Sequence, residues 1–159
     1  MKHIMKLNEK PFNNIKNGSR RIDLIRIETN SAWVYYIGDD SKLISNKVGK
    51  WMCFFKNNRE FVEKICKEAI EKDIVYESKH SNAEEGVSCF YLNKYDVENH
   101  KKVIQYFIAN GLIPKTKNGR FYNISFKSDV QTNAGQYGED FLAEIKLDKF
   151  INLDTGEWK

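Results

Sequence analysis

The chain has 159 residues, 41% hydrophobic and 13% aromatic, with two prolines and nine glycines. Such a composition excludes disordered and fibrous classes and is enough to bury one self-sufficient core, so a single domain over residues 1–159 is expected. The net charge of +4 comes from 26 basic residues interleaved with 22 acidic ones, a balance that admits an anionic ligand without forming a nucleic-acid-binding tail.

The N-terminal third is β-prone, with strand-like runs at 20-RRIDLIRIE-28 and 32-AWVYYI-37. A third strand is expected at 49-GKWMCFF-55. The segment 58–73 then places Phe61, Val62, Ile65, Cys66, Ala69 and Ile70 on one stripe of an amphipathic helix, which Asn57 or Asn58 can cap. A strand at 74-IVYES-78 completes a strand–helix–strand unit.

The pattern recurs. A strand at 87-VSCFYL-92 leads to Asp96 as a cap and to a helix over 97–110, with Val103, Ile104, Phe107 and Ile108 on one face. Gly111 and Pro114 end that helix, Asn118-Gly119 signals a turn, and 120-RFYNISF-126 reads as the following strand. A last strand is expected at 141–147. Together these elements predict an α+β fold: a curved, mainly antiparallel sheet with two long helices packed on one face, leaving the other face free for a ligand.

Metal and cofactor chemistry find little support. His3, His80 and His100 are widely spaced, no C-x-x-C or H-E-x-x-H motif occurs, and His100 falls on the polar side of its helix, where a solvated role is expected. Neither a P-loop nor G-x-S-x-G is present. Cys53, Cys66 and Cys89 each lie in apolar segments and read as packed, reduced thiols. No metal and no cofactor are expected.

The chemistry-bearing residues gather after two strands. Lys79 and His80 follow the strand ending at Ser78, while Lys127 and Asp129 follow the strand ending at Phe126. If those strands are near each other, two ammonium groups and an imidazole converge at one mouth, where an anion or Asp129 would relieve their repulsion. Arg120 could assist. The stretch 128-SDVQTNAGQYGED-140 carries almost nothing that could fill a core, as loops lining sites often do. In it, Gly135 and Gly138 permit close backbone approach, and Thr132 and Tyr137 can donate hydrogen bonds. The same lysines also read as ordinary solvated strand ends. Aromatics alternate along the strands, and any left exposed beside lysines would stack on a flat ring.

The order of motifs, namely GKWMCFF at 49–55, YESK at 76–79, VSCFYLNKYD at 87–96, NGL at 110–112 and SFKSDVQTNAGQYG at 125–138, resembles the phosphothreonine-lyase-domain-containing protein family. The fold of that family is similar to that of the cap-binding translation initiation factor. The resemblance covers roughly residues 45–140. It implies matched positions at Gly49, Lys50 and Trp51, at Lys79, and at Lys127, Asp129, Thr132, Gly135 and Tyr137. The cap-binding tryptophan pair of the initiation factor has no assignable counterpart.

The expectation is therefore a protein that binds a phosphorylated small molecule or nucleotide through Lys79, His80, Arg120, Lys127, Asp129, Thr132 and Tyr137. No catalytic residue is assigned. The alternatives are a phosphate-eliminating lyase, with Lys79 or Lys127 as base and His80 as acid, and a protein-interaction or inhibitor module of bacterial or phage origin. Nucleic acid stays open as a partner. The N-terminus lacks the apolar centre of a secretory signal and no apolar run reaches the ~20 residues of a membrane span, so a cytoplasmic location without a membrane partner is expected.

Overall fold

The computed structural model describes residues 3–7, 25–130 and 143–159. Among the described residues eight strands form one open, curved sheet: β1 (His3–Leu7), β2 (Ile25–Thr29), β3 (Trp33–Ile37), β4 (Val48–Lys56), β5 (Glu77–Ser81), β6 (Glu85–Asn93), β7 (Ser125–Ser128) and β8 (Ile145–Lys146). Their order is β1-β2-β3-β5-β6-β4-β7-β8, and every neighbouring pair is antiparallel. Two helices, α1 (Arg59–Glu71) and α2 (Val97–Ala109), pack on one face of it.

The chain path explains why both helices share that face. Helix α1 carries the chain from β4 over β6 to β5, and α2 carries it from β6 over β4 to β7, so the two crossovers are interlocked. The starting strands run in opposite directions and the crossovers step in opposite senses along the sheet. A common right-handed crossover then lays both helices on one side.

Alternation sorts the sheet's side chains. On β4, Gly49, Trp51, Cys53 and Phe55 turn toward the helices and are buried, whereas Lys50, Met52 and Phe54 turn away. Helix α1 buries Val62, Ile65, Cys66, Ala69 and Ile70, and α2 buries Val103, Ile104 and Phe107, whose ring meets Phe90 edge to face at 5.0 Å. A fully buried side chain of this kind contributes roughly 1.5–3 kcal/mol. The C-terminal segment closes the core with Leu147, Phe150, Ile151 and Leu153.

Several details differ from the sequence reading. Phe61 lies at the edge of the helical stripe and is exposed. Asn58 precedes α1 but makes no side-chain cap, while the Asp96 carboxylate does accept from the Asn99 amide at 3.2 Å. Strand β5 begins three residues later than expected, because α1 ends in a tight turn through Asp73 at φ 55°. The run 120–124 is mostly irregular, with β7 starting at Ser125. Residues 20–24 and 141–142 of the expected terminal strands lie outside the described residues.

His100 departs most. It is 1% exposed rather than solvated, hydrogen-bonded to Trp51 and to the Lys94 carbonyl and stacked on Phe150 at 5.4 Å. It lies on the same stripe of α2 as Val103, Ile104 and Phe107 and faces the sheet, where its ring also meets Phe126 at 4.7 Å, while Phe150 of the C-terminal segment closes over it.

Candidate binding face

The face turned away from the helices is built by the alternate residues of β3, β5, β6, β4 and β7. Register places Glu77, Tyr91, Lys50 and Lys127 in one row across four strands. The next row holds Tyr35, Lys79, Cys89 and Met52. Since β6 is central, Cys89 and Tyr91 form the buried floor of this face, and the longer lysine side chains stand over it.

Lys79 is enclosed by rings. Its ammonium lies 3.7 Å from the centroid of Trp33, 5.5 Å from Tyr35 and 5.8 Å from Tyr91. Among the described residues no carboxylate is within ion-pair distance of it. Burial above all pushes its ammonium below the usual lysine range; Cys89 opposes this, the neighbouring Lys50 charge adds to it, and Glu77 and Asp129 oppose it more weakly.

Lys50 flanks the same Tyr91 ring from the other side, at 5.6 Å, and its ammonium is 3.3 Å from Asp129. Only 12% of its side chain is exposed. Lys127 stands directly opposite on β7, and partial desolvation together with the Lys50 charge lowers its ammonium as well. Opposed like charges on one face of a sheet are destabilising. On the far side of Tyr91, burial and then Asp40 raise the Glu77 carboxyl. Desolvation pushes the Cys89 thiol up to about 11 despite the two lysines above it.

Of the residues singled out from sequence, Lys79, Lys127 and Asp129 belong to this face. Lys79 and Lys127 are three strands apart, with Tyr91 and Lys50 between them, so they flank a basic face rather than meet at one point. His80 does not belong. Because Lys79 lies inside β5 and not beyond its end, the next residue points through the sheet. His80 is 0% exposed on the helix side, bonded to the Tyr36 hydroxyl and the Ser81 carbonyl. Convergence of His80 with the lysines is therefore corrected by strand alternation.

Arg120 is corrected too. It sits in the turn after α2, its amide bonded to Thr116 and its guanidinium 3.5 Å from Asp154. Thr132, Gly135, Tyr137 and Gly138 lie outside the described residues.

The lysine at the centre of the face is Lys50, which strand and loop chemistry did not single out and which entered only through the family resemblance. A signal was present: in VGKWMCFFK a lysine interrupts an apolar strand where a two-sided sheet would demand another packing residue. Compared with known proteins, the chain matches no family model and none of the curated proteins. Among the described residues no helix is long and apolar enough to cross a membrane.

Proposed function

We propose that the open face of the sheet binds a phosphorylated small molecule or nucleotide, with Lys50, Lys79 and Lys127 neutralising the phosphate. The observation that carries this reading is the Lys79 ammonium, partly desolvated and held by three aromatic rings instead of a carboxylate. A phosphate arriving there restores a counter-charge in a region where interactions are weakly screened. Trp33 and Tyr35 rim the same spot and offer apolar area to a flat ring.

Calorimetric titration with inorganic phosphate, phosphothreonine, a nucleoside monophosphate and a nucleoside triphosphate tests it. Lys79→Gln should weaken the best of these ligands at least fivefold, consistent with about 1–3 kcal/mol for a charged hydrogen bond. His80→Gln, on the other side of the sheet, should leave affinity within twofold. Equal affinity in wild type and a Lys50→Gln/Lys79→Gln variant overturns the reading.

The lowered Lys79 ammonium also favours one enzymatic reading, a phosphate-eliminating lyase. The neutral amine would take the proton from the carbon next to the phosphorylated one, a carbon–carbon double bond would form, and the carbon–oxygen bond would break to release phosphate. His80 faces the wrong way to protonate the leaving oxygen, so the donor would have to be a tyrosine of the face. Release of free phosphate from phosphothreonine peptides, abolished by Lys79→Gln, separates turnover from binding.

A further inference from the structure

Phe54 is the most exposed large apolar side chain among the described residues, at 82%. It belongs to no loop or chain end: it lies within β4, opposite Val87 of β6, and points out from the open face. One exposed ring by itself needs no explanation. A second ring, however, shares this face: Trp33 on β3, half-buried, with the Lys79 ammonium 3.7 Å from its centroid.

Each ring has a cation at its side. Alternation along β4 sets Lys50, Met52, Phe54 and Lys56 on the open face, so Lys56 follows Phe54 as its next neighbour there. Glu85 stands opposite Lys56, but both are exposed, and such a pair contributes little and leaves the ammonium open to a stronger partner. The separation of the two rings then selects the ligand. Strands β3, β5, β6 and β4 are consecutive in the sheet, so three spacings of about 4.8 Å, roughly 14 Å in all, separate the strands that carry Trp33 and Phe54. Val87 and Cys89 of β6, both short, form the floor between them. One base cannot stack on both rings, whereas two linked nucleotides can.

We infer that the open face binds a single-stranded oligonucleotide, with one base stacked on Trp33, another on Phe54, and the linking phosphates directed to Lys79, Lys50 and Lys56. The inference rests on the phosphate-binding reading of the same face and adds chain length to it. A nucleotide joins a flat ring to a phosphate, and the pairing of ring with ammonium occurs here twice. Stacking on side chains requires bases released from their own helix, so a duplex does not fit. A phosphopeptide would engage the lysines but leaves two flat platforms without a purpose.

The test is calorimetric titration of the whole chain, at low and matched ionic strength, with thymidine monophosphate, thymidine and uridine tetranucleotides, a short blunt duplex and a phosphothreonine peptide. One tetranucleotide, in its deoxyribo or ribo form, should bind one-to-one at least tenfold tighter than the monophosphate, and the two forms separate DNA from RNA as the source. Phe54→Ala should weaken that tetranucleotide at least fivefold, with an unchanged melting temperature and monophosphate affinity within twofold. Phe54→Trp should keep the tight binding. Lys56→Gln should weaken the tetranucleotide at least twofold and reduce its salt dependence. A monophosphate that binds through Lys79 as tightly as the tetranucleotides overturns the inference and leaves the phosphate reading standing, whereas no binding of any phosphate ligand overturns both. A duplex or phosphopeptide that binds more tightly than the tetranucleotides, or a folded Phe54→Ala variant that binds them unchanged, also overturns the inference.

Discussion

The indole N–H of Trp51 donates to Nδ1 of His100 at 3.0 Å, and this one bond sets the charge of a buried imidazole. With Nδ1 accepting, Nε2 must carry the proton, which it donates to the Lys94 carbonyl at 2.7 Å. A second proton would put two N–H groups head to head. His80 donates from Nδ1 to the Ser81 carbonyl, and in the neutral form its Nε2 accepts from the Tyr36 hydroxyl, a partner that unlike the indole can also accept. Burial lowers both imidazoles below their ordinary value of 6.5.

Acid should therefore destabilise the fold. Below about pH 6.5 the unfolded chain binds protons at these two sites that the folded chain refuses, so stability is complete above that value. It falls with decreasing pH until the folded-state imidazoles also titrate. Each histidine contributes a slope of up to about 1.4 kcal/mol per pH unit. Urea denaturation between pH 8 and 5 measures it, and His100→Gln should remove one histidine's share. A flat profile would show that the two imidazoles titrate alike folded and unfolded.

Periodicity made the two helices and the central strands legible, because 58–73 and 97–110 show single apolar stripes and 49–55 alternates. What it could not supply was the identity of neighbours. Lys50 sits in a strand read as apolar, and only the pairing of β4 between β6 and β7 sets it beside Tyr91 and Lys127. His100 stands one turn before Val103, Ile104 and Phe107 on the same stripe, so the helix pattern places it toward the sheet against Trp51 and Phe126, and only its polar residue type suggests a solvated role. For His80 the error was local. Starting β5 at Glu77 instead of ending it at Ser78 changes Lys79 and His80 from a loop pair into strand residues on opposite faces.

Gly49 should not tolerate a side chain. A Cβ there would meet the Phe126 ring at 2.5 Å and the Lys127 carbonyl at 2.7 Å, and the backbone contact cannot swing aside. Gly49→Ala is expected to push β7 away from β4 at a cost of about 1–3 kcal/mol. It should lower the melting temperature and, by displacing Lys127, weaken phosphate ligands. Unaltered thermal unfolding would mean that β7 is not packed this closely.

The three thiols should react slowly. Cys53, Cys66 and Cys89 are all buried, and desolvation raises each of them. Thiolate is the reactive form, so an aromatic disulfide reagent at neutral pH should modify fewer than one thiol in the time needed to modify all three in denaturant. Rapid reaction of Cys89 alone would show that the floor of the binding face opens to solvent.

Ligand binding on the open face should weaken on the alkaline side. The Lys79 ammonium loses its proton below the ordinary lysine value of 10.5, chiefly because burial disfavours the charge. The neutral amine cannot balance a phosphate, so affinity should be steady near neutrality and fall as pH rises through the folded-state value. A bound phosphate stabilises the ammonium, so the complex titrates higher than the free protein, and binding in that alkaline range takes up protons. Calorimetry in two buffers of different ionisation enthalpy detects the uptake. Lys79→Arg separates charge from position: guanidinium stays protonated throughout, so this variant should lose the proton uptake due to Lys79 while keeping measurable affinity. Proton uptake that persists unchanged in Lys79→Arg would assign it to another group and remove Lys79 from the site.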